Sequence, residues 1–84
     1  DPVAGHLRAL ADMGAWEGTT AELLAELDEA ATDRERKGRR WPKSTQALSK
    51  HLTRIGPALE QTGLLIGRKT SHGRRLLLLD FVRE

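Results

Sequence analysis

One stretch decides the fold of this chain, WPKSTQALSKHLTRIGPALEQTGLLIGRKTSHGRRLLLLDF, which covers residues 41–81. Its first half has the period of a helix, and its second half has the pattern of two strands. Ser44 is placed to cap the helix, which we predict at about 44–62 with Gly63 as its stop. At 100° per residue, four apolar residues lie within about 60° of one another and form a stripe that a core can bury: Leu48, Leu52, Ile55 and Leu59.

The opposite face of this helix is polar and basic, with no carboxylate in its first ten residues. Lysine and arginine neutralise phosphates or bond guanine, and glutamine bonds adenine, so this face is a candidate surface for nucleic acid. The alternative is an ordinary solvated helix face. The candidate residues on this helix and at its entrance are Lys43, Ser44, Gln46, Lys50, His51 and Arg54.

Pro57 lies inside the predicted helix. A proline there removes one hydrogen bond and crowds the carbonyl of Thr53. We therefore expect a kink or a break near Gly56.

The end of the stretch predicts a β-hairpin at about residues 64–82. Two apolar runs, one beginning at Leu64 and one rich in leucine after Arg75, flank a glycine-containing turn over residues 70–73. Side chains alternate along a strand, so the basic residues of the hairpin cannot all point one way. Its candidate phosphate contacts are Arg68, Lys69, His72, Arg74 and Arg75.

The residues before this stretch predict two more helices and a short strand. Asp1 and Pro2 open a helix at about 2–13, and residues 16–18 form a short extended piece. Thr19 stands three residues before Glu22, the spacing of a capping box, which begins a helix at about 20–32. A basic loop over residues 33–43 follows, and it adds Arg39 and Arg40 to the candidate surface.

Length and composition limit what the domain can do. The chain has 84 residues and no cysteine, so it is one small domain over residues 1–84 that is held by packing and has no thiolate metal site. The three histidines lie on different elements without metal-ligand spacing, so we expect neither a metal nor another cofactor. Nothing in the spacing of Ser44, His51 and Asp80 supports a hydrolytic triad, and we expect no catalytic residues and no enzyme activity.

The charges separate along the chain although the formal net charge is only +2. Residues 1–33 hold eight acidic residues and one basic residue, and residues 34–84 hold 13 basic residues and four acidic ones. Such asymmetry indicates an electrostatic partner for the basic part, unless the two parts neutralise each other within the fold. No apolar run is long enough to cross a membrane, so we expect a soluble domain, and the absence of cysteine fits a reducing cytoplasm. The chain begins at Asp1, and we expect it to be excised from a longer polypeptide.

The order of elements is that of a small α+β winged helix-turn-helix, with three helices, a short strand and a C-terminal β-hairpin wing. In this architecture the third helix enters the DNA major groove and the wing contacts DNA beside it. Both of these elements are basic here.

Trp16 is expected to complete the core, whereas for Trp41, which lies among arginines, burial and base stacking are equally open.

Three motifs carry a resemblance. The chain resembles the C-terminal winged-helix domain of phage and plasmid-type primase-helicase proteins. The resembling segments are WEGTTAELLAEL at residues 16–27, RRWPKSTQALSKHLTRIGPALEQTGL at residues 39–64, and GRR before the last strand. The resemblance implies a DNA-binding accessory domain for replication initiation or template binding. It implies the cytoplasm of a prokaryotic or phage-infected cell, with the ATPase and primase chemistry in upstream segments.

Two functions remain open at this point. The first is DNA binding through the third helix and the wing, with single-stranded and duplex DNA equally open. The second is a protein-interaction winged helix that docks on the parent ATPase or on a replication partner. Its contact surface would be the acidic face of the second helix, Glu22, Glu26 and Glu29.

Overall fold

The computed structural model describes residues 1–82 and has an α+β fold. The described residues form four helices and one three-stranded antiparallel sheet. In chain order the elements are α1 (Pro2–Asp12), β1 (Trp16–Gly18), α2 (Thr20–Ala30), α3 (Asp33–Lys37), α4 (Thr45–Gln61), β2 (Leu64–Ser71) and β3 (Arg74–Phe81). The predicted third helix is therefore α4.

The predicted helix caps are present. The Asp1 carboxylate accepts a hydrogen bond from the backbone N–H of Val3 at 2.9 Å and caps α1. At α2, Thr19 and Glu22 form a reciprocal capping box, with side-chain contacts of 3.1 and 2.9 Å to each other's backbone N–H. Each cap satisfies backbone donors that the first turn of a helix leaves without partners.

The prediction of an unstructured basic loop over residues 33–43 is wrong at its start. Asp33–Lys37 forms the short helix α3, so the described residues contain four helices rather than three. Thr32 and Glu35 make a second capping box, with the same spacing that begins α2. The density of arginine and lysine in this segment concealed a local signal that was present in the sequence.

Of the kink or break predicted near Gly56, the break does not occur, because α4 continues through Pro57 to Gln61 as the predicted helix did. Pro57 is exposed. The hydrogen bond that the proline removes is therefore on the solvent side of the helix, where water replaces a missing partner. The buried residues of α4 remain on one face, so the apolar stripe continues from Leu48 to Leu59.

The sheet has the strand order β1-β3-β2, so β3 is its central strand. The hairpin turn is tighter than predicted, because Thr70 and Ser71 pair within β2 and only His72 and Gly73 connect the strands. Both connecting residues have positive φ, 51° and 76°, as the favoured two-residue hairpin turns require. In β1, a Cβ on Gly18 would lie 2.6 Å from the Trp16 ring, so glycine leaves room for the indole.

The core lies between the helices and one face of the sheet. Val3 and Leu7 of α1, Leu23 and Leu27 of α2 and the α4 stripe pack there against the strands. The remaining buried apolar residues are Ala11, Ala31, Trp41, Leu64, Leu77 and Leu79. Within residues 1–82, no helix has the length and apolarity needed to cross a membrane.

Candidate nucleic-acid interface

The helix α4 buries its apolar inner face in the core and leaves its polar outer face exposed to solvent. Leu48, Leu52 and Leu59 are at most 4 % exposed, and they orient the helix so that the polar residues face solvent. Ser44 does not need to contact a ligand to explain its presence, since its hydroxyl accepts from the Ala47 N–H at 3.1 Å and caps the helix. The exposed polar and basic residues at this face and its entrance are Lys43, Ser44, Gln46, Lys50, Thr53 and Arg54.

His51 does not belong to this exposed face. Its side chain is 7 % exposed, and its Nε2 lies 2.8 Å from an Asp1 carboxylate oxygen. The Arg54 guanidinium donates to His51 Nδ1 at 2.9 Å. His51 is therefore mostly buried and holds Arg54, and its contact with a ligand remains a prediction. Its partner Asp1 lies 50 positions away in the chain, beyond any local pattern.

The two contacts of His51 determine its protonation. Arg54 can only donate, so Nδ1 must accept, and Nε2–H then donates to Asp1. This is a neutral imidazole. Burial lowers the pKa of His51 from its usual value near 6.5, and the Arg54 guanidinium lowers it further.

We expect acid to destabilise the domain through His51. Because the pKa of His51 is lowered in the folded state, the unfolded chain binds the proton more readily. The contribution of neutral His51 to stability is therefore fully present above pH 6.5 and is lost as the pH falls through the lowered pKa. Urea denaturation at about pH 7.5 and about pH 5 measures this loss. In His51→Gln, the free energy of unfolding should differ less between the two pH values than it does in the unmodified protein. An equal loss of stability in both proteins would contradict the assignment.

One edge of the outer face of α4 meets the segment before it. A concavity of about 410 Å³ lies there, and Lys50 and Arg54 line it from the helix. Arg39 and Arg40 line it from the segment that joins α3 to α4. The structure thus brings together two pairs of predicted basic residues that lie 10 to 15 positions apart in the chain.

Trp41 anchors this segment. It is 3 % exposed, and its indole N–H donates to an Asp28 carboxylate oxygen of α2 at 2.7 Å. His6 of α1 packs edge-on against the ring, with centroids 5.8 Å apart. Of the two open roles of Trp41, the structure shows the buried one. The adjacent Arg39 and Arg40 are exposed on an anchored support.

Contacts with α1 and α2 hold the helix α3 in place. The Arg36 guanidinium donates to the Asp28 carbonyl at 2.6 Å and so satisfies a carbonyl near the end of α2. Arg36 also pairs with Asp33, and Glu35 accepts from His6 of α1 at 3.0 Å. Hydrogen bonds lower the pKa of Glu35, that from the Thr32 backbone most strongly. Sequence reasoning missed these contacts, since only the Thr32–Glu35 spacing signals them.

The other edge of the outer face of α4 meets the hairpin. Arg68 donates to the Thr53 hydroxyl of α4 at 3.3 Å. Arg68 and Arg75 also line a concavity of about 380 Å³, together with Ser49 of α4. In the strand register Arg68 faces Leu77, and Arg75 alternates onto the same side of the sheet as Leu77. These two arginines lie on the helix-facing side of the hairpin.

The remaining charged residues of the hairpin are already paired. Lys69 forms an ion pair with Glu17 of β1, and Arg74 lies 3.3 Å from Glu22 of α2. His72 is exposed at the turn. The structure therefore does not bring all five predicted wing residues together, and strand alternation is the reason.

The acidic face of α2 divides in a similar way. Glu22 belongs to the capping box and pairs with Arg74, and its pKa is lowered chiefly by the hydrogen bond from the Thr19 backbone. Glu26 and Glu29 are exposed. Part of the acidic charge is thus neutralised within the fold.

The three histidines lie apart, and no group of residues able to hold a metal ion occurs within residues 1–82.

Comparison with known proteins gives a family. No curated protein and no solved structure matches the chain significantly. A family model described as the AICE RepA C-terminal domain matches residues 3–83, almost the whole chain. This chain therefore belongs to the AICE RepA C-terminal domain family and is a C-terminal domain of a replication protein.

Proposed function

We propose that this domain is a non-catalytic, winged-helix DNA-binding module of a replication protein. In this proposal α4 is the recognition helix and the β2–β3 hairpin is the wing. The observation that carries the proposal is the outer face of α4, where exposed Gln46, Lys50 and Arg54 lie on a helix whose first ten residues include no carboxylate. The inner face of the same helix is fully used by the core, so the outer face is free to meet a ligand.

The mechanism is electrostatic docking followed by contact with bases. Lys43, Lys50 and Arg54 neutralise phosphates and release the counterions held there. Gln46 is exposed near the start of α4 and has the donor and acceptor that adenine requires. Phosphate contacts position the domain, and few residues remain for reading sequence, so we propose weak sequence preference.

The parent is proposed to be a primase-helicase of the phage and plasmid type, acting in the cytoplasm. The family match to a replication-protein C-terminal domain supports a role in replication. The WPKS segment at residues 41–44 carries the resemblance to primase-helicases. The chain has no phosphate-loop motif, so in this proposal the ATPase and primase reactions belong to other parts of the parent.

DNA binding with a strong salt dependence is the expected result. If four to eight phosphates are contacted, the logarithm of the association constant falls against the logarithm of salt concentration with a slope of about −4 to −7 on duplex DNA. Fluorescence anisotropy from about 50 mM salt upward measures this slope. Absence of binding at about 50 mM salt, or binding that salt does not change, rejects the proposal.

The second candidate function is a protein contact on the side of α1 and α2, with a basic partner. One observation favours it: a concavity of about 160 Å³ lies between these helices, with Glu26 at its border and Met13 beside it at 88 % exposure. The Glu26→Lys, Glu29→Lys variant distinguishes the two functions. If the partner is a protein, this variant weakens its binding; if the proposed DNA function holds, DNA affinity is retained.

A further inference from the structure

We infer that the nucleic acid of this domain is duplex DNA, and that two groups of arginines grip its two phosphate chains from opposite edges of α4. This inference rests on the proposed DNA-binding function and names the substrate class that the sequence left open. Its first group, the loop clamp, is Arg39 and Arg40. Its second group, the wing clamp, is Arg68 and Arg75.

The aromatic residues argue against a single strand. Proteins that bind single strands without sequence preference stack successive bases on exposed aromatic rings. The chain has two tryptophans, one phenylalanine and no tyrosine. Trp41 is 3 % exposed and bonded to Asp28, and Trp16 and Phe81 pack against the core. No tryptophan or phenylalanine is left as a stacking platform on the basic surface.

The two clamps lie on opposite edges of the same exposed helix face. Lys50 and Arg54 face the loop clamp, whereas Ser49 and Thr53 face the wing clamp. Successive residues of an α-helix are about 100° apart, so these two pairs define two edges about 100° apart around the axis of α4. The exposed ridge between them carries Gln46.

An exposed α-helix fits the major groove of a duplex. An α-helix with its side chains is about 10–12 Å across, and the major groove of B-DNA is about 12 Å wide. A helix seated there has one phosphate chain on each side. Cations at both edges of a ridge match that pair of chains, whereas a single strand has one backbone for a protein groove to follow.

Both supports of the clamps are anchored. Trp41 and Pro42 are buried next to the loop clamp, and the hydrogen bond from Trp41 to Asp28 ties the segment to α2. Arg68 is held against α4 through the Thr53 hydroxyl. Arg39, Arg40 and Arg75 have no carboxylate partner among the ion pairs of residues 1–82, so their charges are available to phosphates.

The test compares a duplex of about 20 base pairs with each of its single strands, by anisotropy at about 100 mM salt. We expect the duplex to bind at least about 10-fold more tightly. Arg39→Ala with Arg40→Ala, and separately Arg68→Ala with Arg75→Ala, should each weaken duplex binding by about 10-fold. Each should make the salt slope about 2 units less steep, since two phosphate contacts are lost.

The matched control is Arg34→Ala with Lys37→Ala, which removes the same charge from exposed positions of α3 that line neither clamp. It should change duplex affinity by no more than about 2- to 3-fold, because only the general field is altered. Circular dichroism verifies that each variant is folded. Equal or tighter binding of a single strand overturns this inference alone, as does a clamp variant that behaves like the control. Binding to neither form overturns the proposed function as well.

Discussion

DNA affinity is expected to fall by about 100-fold or more when Lys50→Glu and Arg54→Glu are combined. Both residues are exposed on the outer face of α4 and line the same basic concavity. A lost phosphate or base contact costs about 1–3 kcal/mol, and a carboxylate in its place adds repulsion from the phosphates. Anisotropy titration at about 100 mM salt measures the loss, and the salt slope should become less steep by about 2 units.

The control for this result changes the net charge by the same amount elsewhere. Arg34→Glu with Lys37→Glu reverses two exposed charges on α3 and should weaken binding far less. Because Arg54 also donates to His51, the single variant Lys50→Glu is measured beside the double variant. Lys50 is exposed and forms no side-chain hydrogen bond or ion pair within residues 1–82, so we expect Lys50→Glu to leave the fold intact. Unchanged affinity in Lys50→Glu and in the folded double variant would show that α4 does not meet DNA.

The second large effect is on stability. Trp41→Ala is expected to lower the free energy of unfolding by about 3–5 kcal/mol, the usual cost of truncating a large buried aromatic side chain. Trp41 is 3 % exposed, and its loss also removes the hydrogen bond to Asp28 and the ring contact with His6. Since small domains are stable by only about 5–15 kcal/mol, much of the total is lost. Urea denaturation followed by far-ultraviolet circular dichroism measures it.

A milder variant measures the hydrogen bond of Trp41 separately from the packing of its ring. Trp41→Phe keeps an aromatic ring but removes the indole N–H that Asp28 accepts from. We expect it to cost about 1–2 kcal/mol of stability, and Asp28→Asn, which retains an acceptor oxygen, to cost less. DNA affinity of the folded Trp41→Phe protein should fall only slightly, because the buried ring still supports the segment that carries Arg39 and Arg40. A loss of less than about 1 kcal/mol in Trp41→Ala would contradict the burial of this residue.

The features predicted successfully from the sequence are those whose signal spans only a few residues. The capping box of Thr19 and Glu22, the apolar stripe of α4 and the strands around Gly73 depend on side chains one to four positions apart. The same kind of signal at Thr32 and Glu35 was present and was hidden by the surrounding charge. Pro57 misled in the opposite direction, because the cost of a proline in a helix depends on whether its side of the helix faces water.

The candidate site was predicted only in part. The exposure of Gln46, Lys50 and Arg54 follows from the helical period, since the residues opposite a buried stripe face solvent. Which residues of the hairpin accompany them does not follow, because Lys69 and Arg74 form ion pairs with Glu17 and Glu22 of distant elements. Periodicity does not show which of several exposed arginines meets a carboxylate.

Composition and short-range patterns thus settled the α+β class, the helix caps, the hairpin and the basic outer face of α4. Packing between elements decided three further features. They are the burial of His51 and Trp41, the ion pairs of half the cations of the hairpin, and the common concavity of Arg39, Arg40 and Lys50. These contacts join residues 10 to 52 positions apart, where no sequence period operates. Local hydrogen bonds and hydrophobic spacing select the elements, whereas burial and charge pairing between elements select which side chains remain available to a ligand.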